Sequence, residues 1–378
     1  MEPNKAIIRE QFKITSSDQL YLNHAAKSPF PLCVREELDR FIACREYENV
    51  EYFPNLLQDK IELKQGLSRL LNADEKRISL VQNTVEGLNL LVDSLRWEKG
   101  DEVVVFQKDF PSNVHPFLKL ERFGVRVRVV KSENLLFSTE DYLSLINENT
   151  KLVSISFVHF LSGQVADLET ISKACKAHGS LFCVDSIQGC GAIQLDVETL
   201  GIDFISNGGH KWMMFPAGLG FVYFSEQLSE QMIDAKHGWL DREDAMDLFN
   251  WQNERFKDGR RFELGTGSDM LVACAKASLK WRESIGADYI EREVVSLSET
   301  LRKRLLEIGF TLIQQNNNIS FKSGITSIVL SNAEEVFHSL HERKITLAVR
   351  AGVLRVSPHF YNDENDLDRL IEELKKFR

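Results

Sequence analysis

Paired cysteines are missing from this chain. Its six cysteines (Cys33, Cys44, Cys175, Cys183, Cys190 and Cys274) are scattered, and none forms a Cys-x-x-Cys pair. A disulfide-stapled framework is excluded and no metal site is expected. Long apolar runs are missing as well. No window holds the ~20 uninterrupted apolar residues of a membrane-spanning helix. The opening Met1-Glu2-Pro3-Asn4-Lys5 has no apolar leader core. The expectation is a soluble, cytoplasmic chain with no membrane partner. Backbone breakers are sparse, with 21 glycines and eight prolines in 378 residues, so disorder and collagen-like repeats are excluded. Positive charge is in deficit: 46 basic against 56 acidic residues gives a net charge of −10. A general nucleic-acid binder needs the opposite sign, although a few local cations can still hold a small anion. No Gly-x-Gly-x-x-Gly follows a strand near the N-terminus, which argues against a nicotinamide dehydrogenase.

What is present is core material: 43% hydrophobic residues, 24 of them phenylalanine. At ~150 residues per domain the length suggests two or three domains. Between residues 76 and 224, short β-rich runs alternate with helical patterns. Ile78–Val81, Glu102–Phe106, Val125–Val130, Leu152–Val158, Leu181–Val184, Phe204–Ser206 and Gly220–Phe224 read as strands. Glu86–Leu95, Val114–Arg122, Glu140–Ile146 and Leu168–Ala177 read as helices. Such alternation predicts an α/β fold with a mostly parallel sheet sandwiched between helices. Two helical stretches, Val34–Tyr47 and Leu56–Leu71, precede this block. Two long amphipathic helices, Leu271–Ser284 and Asp288–Leu306, follow it. Strands at Phe310–Ile313, Ile325–Leu330, Ile345–Val349 and Leu354–Ser357, with helices at Glu334–Glu342 and Glu364–Phe377, predict a smaller α+β domain. The polar run Gln314-Gln315-Asn316-Asn317-Asn318 reads as a turn-like insertion.

The densest chemical signal lies between 180 and 220. A strand ends in Asp185, followed by Ser186-Ile187-Gln188-Gly189. Then come His210-Lys211-Trp212 and Pro216-Ala217-Gly218-Leu219-Gly220. In a parallel sheet, polar residues at strand C-termini face the ligand crevice. An acid there and a lysine on a nearby loop suit pyridoxal 5′-phosphate (PLP). The amine forms a Schiff base, and the carboxylate pairs with the pyridinium nitrogen. Singly, a lysine is usually a solvated charge, and an Asp after a strand is usually a cap or turn residue. The ordered combination is what carries the signal.

That combination, Val184-Asp-Ser-Ile-Gln-Gly … Gly209-His-Lys-Trp … Pro216-Ala-Gly-Leu-Gly-Phe, resembles the class V aminotransferases. This group includes cysteine desulfurases, selenocysteine lyases and isopenicillin N epimerase-like enzymes. Tyr21-Leu-Asn-His-Ala-Ala, Asp109-Phe-Pro-Ser-Asn-Val-His-Pro-Phe, Arg261-Phe-Glu-Leu-Gly-Thr266 and Leu354-Arg-Val-Ser … Tyr361-Asn extend the likeness over residues 20 to 375. It implies the PLP-dependent transferase fold type I. A large domain at 18–255 would carry a mainly parallel seven-stranded sheet, and 1–17 with 256–378 would form a smaller α+β domain.

The resemblance also implies roles. Lys211 falls on the Schiff-base lysine, Asp185 on the partner of the pyridine nitrogen, and Gln188 on the residue bonded to the ring's phenolic oxygen. His210 falls on a phosphate contact. Asn83-Thr84 falls on the phosphate-binding turn, where a helix N-terminus favours an anion. Phe110 falls where many relatives stack a histidine on the ring. Thr266 falls on a residue that reaches the neighbouring subunit's phosphate, which implies a homodimer with its active site at the subunit interface. Arg355 falls on the arginine that grips the substrate α-carboxylate, and Arg350 is a second candidate. His24 and Asn23 sit in a turn that often lines the substrate pocket. His159 either approaches the cofactor or is a core histidine.

Two departures stand out. Gly208 replaces a serine that often binds phosphate, so Ser206 or Asn207 would have to substitute. Where desulfurases carry a nucleophilic cysteine on a mobile segment, Arg350-Ala-Gly-Val-Leu-Arg355 is short and has none. The reading is therefore a PLP-dependent aminotransferase acting on a small amino acid and a keto-acid acceptor. Arg355 would orient the substrate, and Lys211 would act as general base at Cα. Asp185 would stay ionised, its pKa lowered by the pyridinium. The alternative is a desulfurase- or selenocysteine lyase-like activity, or an epimerase, on the same scaffold.

Overall fold

The computed structural model describes residues 3–315 and 319–378. Asn316-Asn317-Asn318, most of the expected polar insertion, lie outside the described residues.

A seven-stranded sheet forms the centre. Its strands are β1 (Ile78–Val81), β2 (Glu102–Phe106), β3 (Arg126–Val130), β4 (Thr150–Ser156), β5 (Leu181–Asp185), β6 (Phe204–Gly208) and β7 (Gly220–Phe224). The spatial order is β1-β7-β6-β5-β4-β2-β3. Strands β6, β5, β4, β2 and β3 run parallel, while β7 is antiparallel to both β6 and β1. Strands β2, β5, β6 and β7 are buried along their whole length. Apolar clusters cover both faces of the sheet, so these strands read as unbroken apolar runs.

The parallel strands end level with one another. Ser156 of β4 is paired with Asp185 of β5, which is paired with Ser206 of β6. Their C-terminal loops therefore open along one edge, where an α/β sheet places its ligand crevice. The helix Thr84–Asp93 sits against β6. Gly87 allows this contact: a Cβ there would collide with Ser206 Oγ and lie 2.5 Å from Val222 Cγ1.

A second sheet, of four antiparallel strands, runs in the order Ala348–Arg350, Val353–Val356, Thr326–Val329, Thr311–Leu312. Its core includes Leu20 and Leu22 together with Leu301, Ile328, Leu354 and Leu370. The segment expected as one strand, Ile345–Val349, divides. Ile345–Thr346 pairs in parallel with Leu20–Tyr21, and Ala348–Arg350 joins the four-stranded sheet. The expected helix Val114–Arg122 is a short α-helix, His115–Leu118, continued as a 3₁₀ turn, Lys119–Phe123. Pro116 near its start and Gly124 at its end, with φ +82°, limit its length.

The N-terminal segment docks on the C-terminal part. Phe12 stacks on Tyr361 with ring centroids 3.9 Å apart, and Arg9 pairs with Asp366 at 2.8 Å. Among the described residues, no helix is long and apolar enough to cross a membrane.

Candidate active site

A cavity of about 380 Å³ opens at the C-terminal edge of β4–β6. Its lining brings together Asn83, Thr84, Phe110, Gln188, His210, Lys211, Arg350 and Arg355, all of them expected site residues. Ala25, Ala26, Val85, Ser112, Phe160 and Ile187 complete it.

At one end stands the helix Thr84–Asp93. Asn83 caps it, its Oδ1 accepting from Glu86 N at 3.0 Å. The first-turn N–H groups of Thr84 and Val85 have no intrahelical acceptor, and both residues line the cavity. Thr84 Oγ1 is buried and without a hydrogen-bond partner. Ser206 Oγ donates to the Thr84 carbonyl at 2.8 Å, fastening the helix to β6. Ser206 therefore fixes this turn from behind. Asn207 is buried and accepts from Ser186 Oγ at 3.1 Å. Neither residue lines the cavity. Gly208 leaves the space open: a Cβ there would lie 3.2 Å from Thr84 Oγ1 and 3.1 Å from Ile187 Cδ1.

The middle of the site is set by Asp185, Gln188 and Lys211. Asp185, at the end of β5, accepts from Ile187 N at 3.0 Å. Burial pushes its carboxyl up to about 7, with the nearby Asp109 carboxylate adding to the shift; the Ile187 N–H and Lys211 oppose it. A pyridinium nitrogen paired with Asp185 would oppose this rise. Gln188 accepts from Trp212 Nε1 at 3.0 Å and donates to the Ala25 carbonyl at 2.9 Å. An amide nitrogen carries two N–H groups, so one donor remains. The Lys211 amine lies 5.6 Å from the centroid of the Phe110 ring. Burial lowers its pKa to about 8; Asp185 opposes the shift, while Arg355 and Arg350 reinforce it. Burial, with Lys211 and Lys27, likewise lowers His210 to about 4.

Phe110 is positioned by Asp109, which the sequence reading did not single out. Asp109 is buried and accepts from Phe110 N at 2.7 Å, Ser156 Oγ at 2.6 Å and Asn113 Nδ2 at 2.8 Å. The Phe110 ring packs edge-on to Phe160 at 5.3 Å. The Phe160 carbonyl in turn accepts from Arg355 Nη1 at 2.7 Å. Arg355 is only 2% exposed, and its Nε has no partner.

Four expected residues are placed elsewhere. His24 is fully buried behind the lining: its Nδ1–H donates to the Ser357 carbonyl at 2.8 Å, and its Nε2 accepts from Tyr361 O–H at 2.9 Å. Burial lowers its pKa to about 3, so it is a neutral structural histidine, and Ala25 and Ala26 present the turn to the cavity instead. Asn23 is also outside the lining. His159 is a core histidine. Its Nδ1 accepts from Ser162 N at 3.0 Å and its Nε2 donates to the Lys108 carbonyl at 2.9 Å. Thr266 is exposed on the loop after Glu263 and does not line this chain's cavity.

Arg350 and Arg355 flank a closed hairpin. Arg350 pairs with Val353 across Ala351-Gly352, whose φ values are +48° and +76°. Positive φ at both central residues makes this a tight two-residue turn. No cysteine lines the cavity. Burial pushes the thiols of Cys190 and Cys274 up, to about 12 and about 11.

The donor set fits PLP. The Lys211 amine and a helix N-terminus with an unpartnered hydroxyl line one cavity, and the buried Asp185 carboxylate, just outside the lining, interacts with Lys211. Solved structures share the fold. The chain aligns over its full length with a cysteine desulfurase from Thermococcus onnurineus, covering 99% of that chain at a TM-score of 0.90 and 21% identity. It aligns over 99% of its length with 99% of the chain of C-DES, solved with glycine covalently linked to its PLP cofactor, at a TM-score of 0.89 and 22% identity. In sequence it is 26% identical to an uncharacterised aminotransferase of Bacillus subtilis, over 86% of this chain and 88% of that one. It is 26% identical to a probable cysteine desulfurase of Borreliella burgdorferi, over 87% of each. With the class V aminotransferase family model matching residues 20–370, the chain belongs to that family of PLP-dependent enzymes.

Proposed function

We propose that the protein is an aminotransferase that moves the amino group of a small amino acid to a keto acid. The observation that carries this reading is the cavity itself. It joins the amine of Lys211 to the guanidinium of Arg355 and contains no thiol. When bound, PLP supplies the carbonyl that takes up the amino group and a ring that withdraws electrons from the substrate Cα.

The chain's residues do the rest. Asn83, Thr84 and His210 would hold the phosphate, and Asp185 and Gln188 the ring nitrogen and phenolic oxygen. Phe110 would cover one ring face. Arg355, buried and with a free Nε, would bind the α-carboxylate by charge-assisted hydrogen bonds. Lys211 would take the Cα proton. A pKa near 8 keeps a useful fraction of its amine neutral at physiological pH. The tight Ala351-Gly352 turn weighs against a desulfurase, which needs a reactive thiol within reach of the substrate sulfur.

A homodimer belongs to the same proposal. Leu57, Ile61 and Met246 are exposed and line a second cavity of about 550 Å³, and Phe249 and Trp251 are exposed nearby in the chain. An apolar surface of this kind is the mark of an interaction site. Thr266 would then serve the partner subunit's cofactor, and the cytoplasm would be the setting.

The test is a half-reaction. The purified PLP-loaded protein is mixed with single amino acids, and the cofactor and products are separated by chromatography. The expected result is conversion of the cofactor to its amine form with release of the matching keto acid. Alanine and sulfur released from cysteine, with the cofactor unchanged, would overturn the proposal in favour of a lyase.

A further inference from the structure

The cavity holds one guanidinium more than a simple amino acid needs. Arg355 and Arg350 lie on one face of the hairpin: Arg355 is opposite Ala348, and Arg350, two residues on, is opposite Val353. They are diagonal neighbours across the strands, a spacing that long side chains bridge. Both line the 380 Å³ cavity. Arg355 is at its buried end, while Arg350 is exposed and so sits toward the mouth.

Neither guanidinium has a carboxylate partner among the described residues. Arg355 donates to the Phe160 carbonyl and keeps its Nε unpartnered. Arg350 donates only to the carbonyl of its own neighbour, Val349, at 2.8 Å. The two repel each other, and burial together with Arg350 lowers the Arg355 pKa. Lys211 adds a third basic group to the same cavity. Two like charges facing one space without an acid between them are satisfied by a ligand that brings two anionic groups. The tight turn fixes their separation, because Ala351 and Gly352 leave no slack between the strands.

We propose that Arg350 is a specificity residue, and that the preferred substrate carries a second, distal carboxylate: an acidic amino acid or the corresponding dicarboxylic keto acid. Arg355 takes the α-carboxylate at the buried end, and Arg350 takes the side-chain carboxylate at the mouth. This rests on the function proposed above and names its substrate class.

Binding and turnover test it separately. Calorimetric titration of the PLP-loaded protein compares glutarate with butyrate, which lacks the distal carboxylate. Glutarate is expected to bind at least tenfold more tightly. Arg350→Gln should abolish that preference while leaving butyrate binding within about threefold. Equal binding of the two acids, or a preference that survives Arg350→Gln, overturns the inference whether or not any donor turns over. Where transamination is observed, kcat/KM for glutamate or aspartate should exceed that for glutamine or asparagine by at least tenfold. Arg350→Gln should erase this difference, and the lost selectivity should return in part in Arg350→Lys. Equal loss for acidic and amide donors would mean a structural role and would also overturn it. Failure of all transamination alongside selective glutarate binding would sink the proposed reaction and leave the dicarboxylate site standing.

Discussion

Trp212 Nε1 donates to Gln188 Oε1 at 3.0 Å, and both side chains are buried. The bond orients the amide, so Gln188 Nε2 faces the Ala25 carbonyl and the cavity. Trp212 follows Lys211 directly in the chain, so one short segment carries both the amine and the clamp on Gln188. Trp212→Phe should therefore leave a buried acceptor unpaired, at a cost of about 1–3 kcal/mol. Urea unfolding of the apo protein should show that loss. A variant as stable as the parent would show that Gln188 finds another donor.

The Lys211 amine should govern cofactor capture. Burial and two arginines depress its pKa to about 8, so the reactive neutral form grows as pH rises through 8. The rate of PLP uptake by apo protein, followed by absorbance, should climb across pH 7–9 and level off above. Arg350→Ala removes one like charge and should shift this profile to higher pH. A profile centred near 10.5, the ordinary lysine value, would contradict the site electrostatics.

Asp185 should make apo stability fall with pH. Its pKa is raised to about 7 from an ordinary 3.8. The stability it contributes is complete below pH 3.8 and is lost as pH climbs through about 7. Asp185→Asn should flatten that part of the curve, raising the apo Tm at pH 8 relative to the parent by at least about 2 °C. If Asp185 pairs with the ring nitrogen as proposed, the same variant should bind PLP more weakly. Parallel Tm curves for parent and variant between pH 5 and 8 would refute the assignment.

Gly87→Ala separates helix propensity from packing. Alanine is favoured over glycine by about 1 kcal/mol inside a helix. Here a Cβ would run into Ser206 Oγ and Val222. Over-packing of this kind costs about 1–3 kcal/mol, so the variant should be less stable despite its better helix former. Displacing the helix start would also weaken PLP binding. Chemical denaturation and a PLP titration check both, and a stabilised variant would mean that the helix moves freely on the sheet.

Much of the site was legible because parallel sheets gather strand ends. Asp185 ends β5, while Gln188, His210 and Lys211 lie on the loops after β5 and β6, and the order of the motifs is enough to place them together. What stayed hidden is three-dimensional. Nothing in the run Gly220-Phe-Val-Tyr-Phe224 distinguishes the antiparallel β7 from its parallel neighbours, since both are buried on two faces. His24 stands one residue before the cavity-lining Ala25, and only its bonds to Ser357 and Tyr361 reveal that it faces inward. Asp109 looks like an ordinary turn residue until Ser156, from another strand, closes on it. Ile345–Val349 reads as one strand, yet its two halves pair with different partners.

The tight turn between Arg350 and Val353 has a last consequence, for traffic rather than chemistry. A segment of two residues cannot swing. It cannot ferry a covalently held group from the cavity to a waiting acceptor protein, as a longer arm in that place could. Whatever leaves this cavity is not carried on this turn, and Arg350 stands at the mouth it passes.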